Sequence, residues 1–494
     1  MKKCVVGVSL LCAMMMWGGC ARSGQPQELS ILLRMMPAQE RFLQQELLPK
    51  FEKEANCKVM LSTFENEWDI PKFLSLEQGK KKAAIDLVKT PFEMTRALVW
   101  RGFMQDLTSV VDSTQVMQDL AEYHQLASGL GFVDGRLYYL PRKLETRVMF
   151  YCKSKVADAV AKFESQKKRI AAELKKLNGY GLPSGYALES DPSQWDTYDV
   201  LVVGAIWAGE KMQDSVKIGR IGQRAASYGG TALTLVDKTL QLGASEKNIL
   251  ELNAEKCAEM FLWENIFVKM GIYNPAMWQD KWKGSDLYNG IKDGKIFLSY
   301  LQQIDCFNIH GWADDPGMPG YLANVEDMGL AVIPKAVSFE LDKSGKPLYE
   351  GTNSISTGGW WWGIPKTAAH KELAYKFMRF ITSRENQALE CSKFGMIPVR
   401  KDILNNLPEV FDQGWVGDIF KTSVAQIQKN GLTTVPLVKQ YPQISSLYID
   451  AWYTLCIEYS DKKDGAMDLS TMKMRLASDY SGKLEEILAD KNLQ

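Results

Sequence analysis

Three short apolar segments alternating with two amphipathic ones, all in the first quarter of the chain, most tightly limit what this sequence can fold into. Leu29–Leu33 (LSILL), Cys57–Phe64 (CKVMLSTF) and Ala84–Lys89 (AIDLVK) read as strands. Between them, Ala38–Glu54 places Leu43, Leu47 and Phe51 four residues apart, a helical stripe interrupted at Pro49, and Ile70–Lys82 reads as a second helix. Ala97–Val111 is again helical before it turns. Strand, helix, strand, helix, strand is the rhythm of a parallel sheet with crossover helices. At 494 residues the chain has material for two or three such units.

The amino terminus lies outside that fold. Lys2 and Lys3 precede an apolar run from Cys4 to Met16, and Trp17-Gly18-Gly19-Cys20 follows. A basic start, a short apolar core and small residues form an export signal, too short to be a permanent membrane span. Its Gly-Gly-Cys end resembles the lipobox of bacterial lipoproteins, with Trp17 standing where an aliphatic residue is usual. We therefore expect residues 1–19 to be removed, Cys20 to carry lipid, and 20–28 to act as a tether. Six cysteines then remain: Cys57, Cys152, Cys257, Cys306, Cys391 and Cys456, the closest two about 49 residues apart. That spacing excludes C-x-x-C metal or redox pairs, and their apolar surroundings favour buried free thiols over disulfides.

Charge and motif content narrow the function. Fifty-nine basic residues face 59 acidic ones, so nothing draws the chain toward nucleic acid. Only three histidines occur, His124, His310 and His370, and their spacing suits no metal. Phosphate-loop, nucleophile-elbow, zinc-protease and EF-hand patterns are all missing. These absences do not exclude an enzyme, but they leave no motif to propose one from; the expectation is a protein that is not an enzyme, with no cofactor and no metal. Fourteen tryptophans, by contrast, offer flat apolar surfaces to a core or a ligand.

Six segments, the first made of three successive stretches, carry a resemblance. PKFEKEANCKVML with AIDLVKTPFE and RGFMQDLTSVVD, then GFVDGRLYYLPRKLETRVMFYCKSKV, DLYNGIKDGKIFLSYLQ, MGLAVIPK, STGGWWWGIPKTAAHKELAYKFMRFITSRENQ and GMIPVRKDI occur in this order. Together they resemble the family 1 extracellular solute-binding proteins, the maltose-binding-protein-like sugar receptors of ABC importers. The resemblance implies an α/β fold, a two-lobed periplasmic-binding-protein clamshell of type II kind whose lobes are discontinuous in sequence. Lobe one is expected at 27–143 plus 334–382, and lobe two at 144–333 plus 383–494. The stretch from about 155 to 250 is an insertion, opening with a charged helix over Val156–Asn178. The helix after STGG places Leu373, Phe377, Phe380 and Ile381 on one face, with Glu372 and Lys376 spaced to pair.

The same resemblance implies a carbohydrate ligand, an oligosaccharide or modified sugar, and ABC permease subunits as partners. The protein would be a monomer, extracytoplasmic and held to the membrane by its lipid alone. Carried over position by position, the candidate ligand contacts are Glu145, a carboxylate able to accept two hydroxyl hydrogen bonds, and Arg147 two residues on. Glu93 and Thr90 follow the third strand, and Arg34 follows the first. Trp360 and Trp361 are candidate stacking platforms, with Trp360 and Trp362 on one strand face and Trp361 on the other. Trp68 is a further aromatic candidate. Gln303 and Asp305 stand where the family carries a stacking tryptophan. Two alternatives remain open: a ligand-presenting subunit for a membrane receptor kinase, and a carbohydrate-active enzyme using Glu93 and Glu145 as paired carboxylates.

Overall fold

A computed structural model describes residues 26–78, 85–209, 220–252, 254–312, 315–407, 411, 414–431, 433–458 and 467–490. The expected signal, Cys20 and most of the tether lie outside the described residues, as do residues 210–219 of the expected insertion. Two hydrophobic cores organise the chain.

The first lobe is built on a five-stranded sheet. Its strands are β1 (Gln27–Leu33), β2 (Cys57–Thr63), β3 (Leu87–Pro91), β6 (Tyr139–Glu145) and β10 (Gly358–Gly363), in the order β2-β1-β3-β10-β6. A small hairpin, β4 (Phe132–Val133) with β5 (Arg136–Leu137), precedes β6. Strand β1 runs parallel to both neighbours, while β10 is antiparallel to β3 and β6. Leu29, Ile31, Leu32 and Leu33 are all buried, as a central parallel strand covered on both faces requires. The expected stripe Leu43, Leu47 and Phe51 is buried against the sheet. Pro49 does not break this helix. The turn before it, Leu43–Leu47, is widened to π geometry, so the α-helical stretch Leu48–Ala55 starts with Pro49 in its first turn, where a missing N–H costs nothing.

The second lobe carries a three-stranded antiparallel sheet in the order β8-β7-β9, from β7 (Arg147–Cys152), β8 (Leu298–Gln302) and β9 (Met328–Ala331). Helices surround it. The charged helix runs Lys153–Asn178, burying Val156, Phe163, Ile170 and Leu174. It packs on Thr197–Gly209, so this part of the expected insertion belongs to the second core.

The boundary between lobes differs from the sequence reading. Residues 334–357 were expected in lobe one, but Ala336, Val337, Phe339, Leu341 and Ile355 all pack in the second core. The chain returns only at Gly358, because β10 is the strand that pairs with β3 and β6. Likewise Ile397 and Val399 return to the first core after Cys391 and Phe394 have joined the second. On the helix Lys371–Ile381, Leu373, Phe377 and Ile381 are buried as the stripe predicts, while Lys376 lies 3.5 Å from Glu54 on the neighbouring helix.

Polar groups knit the crossings together. The first passes Glu145-Thr146-Arg147 and the second Ser356-Thr357-Gly358. Asn430, the last residue of the helix Trp415–Asn430, donates to the hydroxyls of Thr146 at 3.1 Å and Thr357 at 3.2 Å, and accepts the Ile355 N–H. Arg142 on β6 forms a fully buried ion pair with Glu390 of the helix Arg384–Phe394. All six described cysteines are free, five buried and Cys152 half-buried.

Candidate ligand-binding cleft

The ends of β1, β3, β6 and β10 face the second lobe across a cleft that encloses about 360 Å³, within the roughly 300–1,000 Å³ usual for small-molecule sites. Side-chain alternation decides which residues reach it. Trp360 pairs with Pro91 and Lys143, and Gly358 pairs with Glu145, so these positions share the cleft face of the sheet with Lys89. Trp361 pairs with Thr90 on the opposite face. Gly359 lies between, at φ 152°, where a Cβ would meet the Lys143 carbonyl oxygen at 2.2 Å. Only glycine lets β10 lie this close to β6.

Lobe one contributes charged groups held in pairs. Arg34 binds Glu67 at 2.9 Å. Lys143 binds Glu145 at 2.5 Å, and the second oxygen of Glu145 accepts from Gln302 of lobe two at 3.1 Å. The Lys89 ammonium donates to the Arg34 carbonyl oxygen at 2.7 Å and lies 4.5 Å from the centre of the Trp360 ring. Burial, with Lys143 and Arg142 nearby, holds the Lys89 ammonium well below the usual lysine range. Glu93, in the first turn of the helix Phe92–Trp100, is the cleft carboxylate for which no cation partner is found among the described residues. Burial, reinforced by Glu67 and Glu145, raises it to about 7 even though Arg147 opposes the shift.

Lobe two answers with Arg147, Arg224, Tyr228, Lys283, Tyr288 and Asp305. Arg147 is clamped from behind by Asp237 and donates to the Ser356 carbonyl at 2.6 Å and hydroxyl at 2.9 Å. Asp305 binds Arg224 at 2.6 Å, accepts the Tyr288 hydroxyl and takes the Gln302 N–H at 3.1 Å. The lobes come into contact at the rim. A Cβ on Gly229, at the start of the helix Gly229–Gln241, would lie 2.6 Å from a Glu67 oxygen.

The structure therefore brings together Arg34, Glu93, Glu145, Arg147, Asp305 and Trp360 on the cleft wall. It leaves four other candidates off that wall. Trp361 is fully buried, packs on Phe92 and donates to the Ala127 carbonyl at 3.1 Å. Thr90, its cross-strand partner, is equally buried. Gln303 is buried at the first crossing, where its side-chain oxygen accepts the Thr146 N–H at 3.0 Å. Trp68 is half-buried against the first core, and it is its neighbour Glu67 that the Asn66-capped turn delivers to the cleft. Sequence reasoning missed Glu67, Lys89, Lys143, Arg224, Tyr228, Lys283 and Tyr288. Period-two alternation about Glu145 would have found Lys143, and about Pro91 would have found Lys89. Nothing local marks Arg224 or Tyr228, which lie in a stretch matching no family motif. The histidines have structural partners: His124 caps a helix, His310 stacks on Trp415 and His370 lies 3.4 Å from Asp86. No metal-binding cluster occurs among the described residues.

Two discontinuous α/β lobes around a polar cleft define a solute-binding clamshell. The chain belongs to the bacterial extracellular solute-binding proteins, whose family model matches residues 46–415. No curated protein sequence matches it. Among solved structures it is similar to maltose-bound MalE3 of T. maritima, with 13% identity over 93% of this chain and 99% of that one, at a TM-score of 0.65. It is also similar to Lmo0181 of Listeria monocytogenes in complex with cycloalternan, with 15% identity, 92% and 98% coverage and a TM-score of 0.65. UgpB of Mycobacterium tuberculosis in complex with glycerophosphocholine shows 14% identity, 94% and 98% coverage and a TM-score of 0.63. At these identities the likeness is one of fold.

Proposed function

We propose that this protein is the receptor of an ABC importer, capturing a carbohydrate in the cleft and handing it unaltered to a membrane permease. The observation that carries the reading is the cleft itself. One half-buried aromatic face, Trp360, is ringed by carboxylates and cationic donors from both lobes, as a ligand with apolar C–H faces and many hydroxyls needs. Two of the solved relatives are bound to maltose and cycloalternan, both carbohydrates. Contacts made to both lobes favour the closed arrangement over the open one, and the closed form docks on the permease. The amino-terminal pattern supports export and lipidation at Cys20, which leaves the receptor tethered as a monomer at the membrane surface.

A thermal-shift screen across mono- and oligosaccharides tests this directly, because a bound ligand raises apparent stability by mass action. We expect a saturable shift for at least one carbohydrate and no chemical change in it after prolonged incubation. A screen without any shift, or the release of a hydrolysis product, refutes the reading. Co-purification of permease subunits, against a membrane kinase, separates import from sensing.

A further inference from the structure

The second-lobe wall gathers several hydrogen-bond donors around one point of the cleft. Arg224 is 8% exposed, and among the described residues its one hydrogen bond runs from Nη2 to Asp305. Its Nε and Nη1 make no hydrogen bond to the described residues, and Arg224 borders the cleft. Both Asp305 oxygens are engaged, since it also takes the Tyr288 hydroxyl and the Gln302 N–H. N–H groups of a guanidinium that open onto a cleft are free to donate to a ligand.

The space beside these N–H groups is a helix end. The helix Gly284–Lys292 begins there, and its residue Gly284 carries no side chain. A Cβ at Gly284 would stand 3.6 Å from Arg224 Nη2, 3.9 Å from Nε and 3.8 Å from the Tyr288 hydroxyl. Gly284 and Ser285, the first two residues of that helix, line the cleft with Arg224, while the Lys283 N–H before them donates to Asp286 at 2.8 Å. Lys283 precedes them, exposed, with its ammonium 5.9 Å from the Tyr228 ring. The Tyr228 hydroxyl, which has no hydrogen bond among the described residues, interacts electrostatically with both Arg224 and Asp305.

We propose that the captured solute carries an anionic group, a carboxylate or a phosphate, held in lobe two by Arg224, Lys283, the Tyr228 hydroxyl and the first N–H groups of the helix Gly284–Lys292. The inference rests on the carbohydrate-receptor reading and narrows it to acidic sugars. A planar guanidinium beside a helix N-terminus suits an oxyanion, through two parallel donors from the side chain and further ones from the backbone. Gly284 permits the close approach that any larger residue would fill.

Calorimetric titration of the full chain with matched pairs tests the proposal. The probes are glucuronate against glucose, galacturonate against galactose, digalacturonate against maltose, and glucose 6-phosphate against glucose. We expect the acidic member of at least one pair to bind about tenfold or more tightly, with the carboxylate and phosphate arms identifying the group. The preference should fall with added salt. Arg224→Gln should abolish it. Should that variant fail to fold because Asp305 is left unpaired, Lys283→Gln on the surface and Gly284→Ala, whose methyl fits at ordinary contact distance, should each lower the acid-over-neutral ratio about threefold or more. Neutral sugars binding as tightly as their acids, or an acid preference indifferent to all three substitutions, overturns the proposal and leaves the receptor reading standing. Failure of every sugar in the panel and in the wider carbohydrate screen to bind overturns both.

Discussion

Replacing Glu93 by glutamine isolates the cost of keeping a negative charge in the cleft. In the folded protein this carboxyl titrates at about 7 against an ordinary 4.5, chiefly because it is buried, with Glu67 and Glu145 adding to the effect. Between these two values the folded state binds a proton that the unfolded state has released. Stability therefore falls as pH rises from 4.5 to 7, and the full penalty is present above 7. At 1.36 kcal/mol per unit, the shift corresponds to about 2–3 kcal/mol once the open side of the cleft is allowed for. Glutamine keeps the shape and removes the charge. Glu93→Gln should match wild type in apparent Tm at pH 4.5 and exceed it at pH 8 by roughly 2–3 °C, the shift that about 2–3 kcal/mol gives a chain of this length. Differential scanning fluorimetry of both proteins across that range is the assay. Two parallel curves, with no divergence between pH 4.5 and 7, would show that Glu93 is ionised at no special cost and that the electrostatic account of the cleft is wrong.

Three further substitutions probe the frame around the site. Trp361→Ala should destabilise the first lobe by about 3–5 kcal/mol in urea titration, whereas Trp360→Ala should change stability far less and lower affinity for the identified ligand at least about tenfold. Glu390→Gln breaks the buried pair with Arg142 and leaves a guanidinium in the interior, so a loss of about 3–5 kcal/mol is expected by the same measurement. Asn430→Ala frees the hydroxyls of Thr146 and Thr357 and the Ile355 N–H at two crossings. Hydrogen exchange at residues 144–148 and 355–358 should accelerate, and unchanged protection there would remove Asn430 from the hinge.

Much of the frame was readable because its signals are local. The apolar run Leu29–Leu33, the stripe Leu43, Leu47 and Phe51, and the stripe Leu373, Phe377 and Ile381 each report the face that a helix or strand must bury. The order of the family motifs supplied the two lobes. The return crossing was misplaced by about two dozen residues, at 334 rather than at 358, since MGLAVIPK looks like any buried strand leaving a sheet. Nothing in its own residues says which core will receive the segment that follows.

The cleft shows the same division. Arg34, Glu93, Glu145, Arg147, Asp305 and Trp360 stand at strand ends and crossings that motif position can locate, and all line it. Trp361 and Thr90 are separated from the wall by one residue each, a parity fixed only when β10 pairs with β3. Arg224, Lys283 and Gly284 come from segments about 60 residues apart and meet because the helix Gly284–Lys292 folds back over the loop before Gly229. By itself the sequence determined the elements, their order and the family, since backbone periodicity and motif spacing are properties of contiguous residues. Only the tertiary structure decided which charges face one another, because strand register and lobe packing set the distances over which charges act.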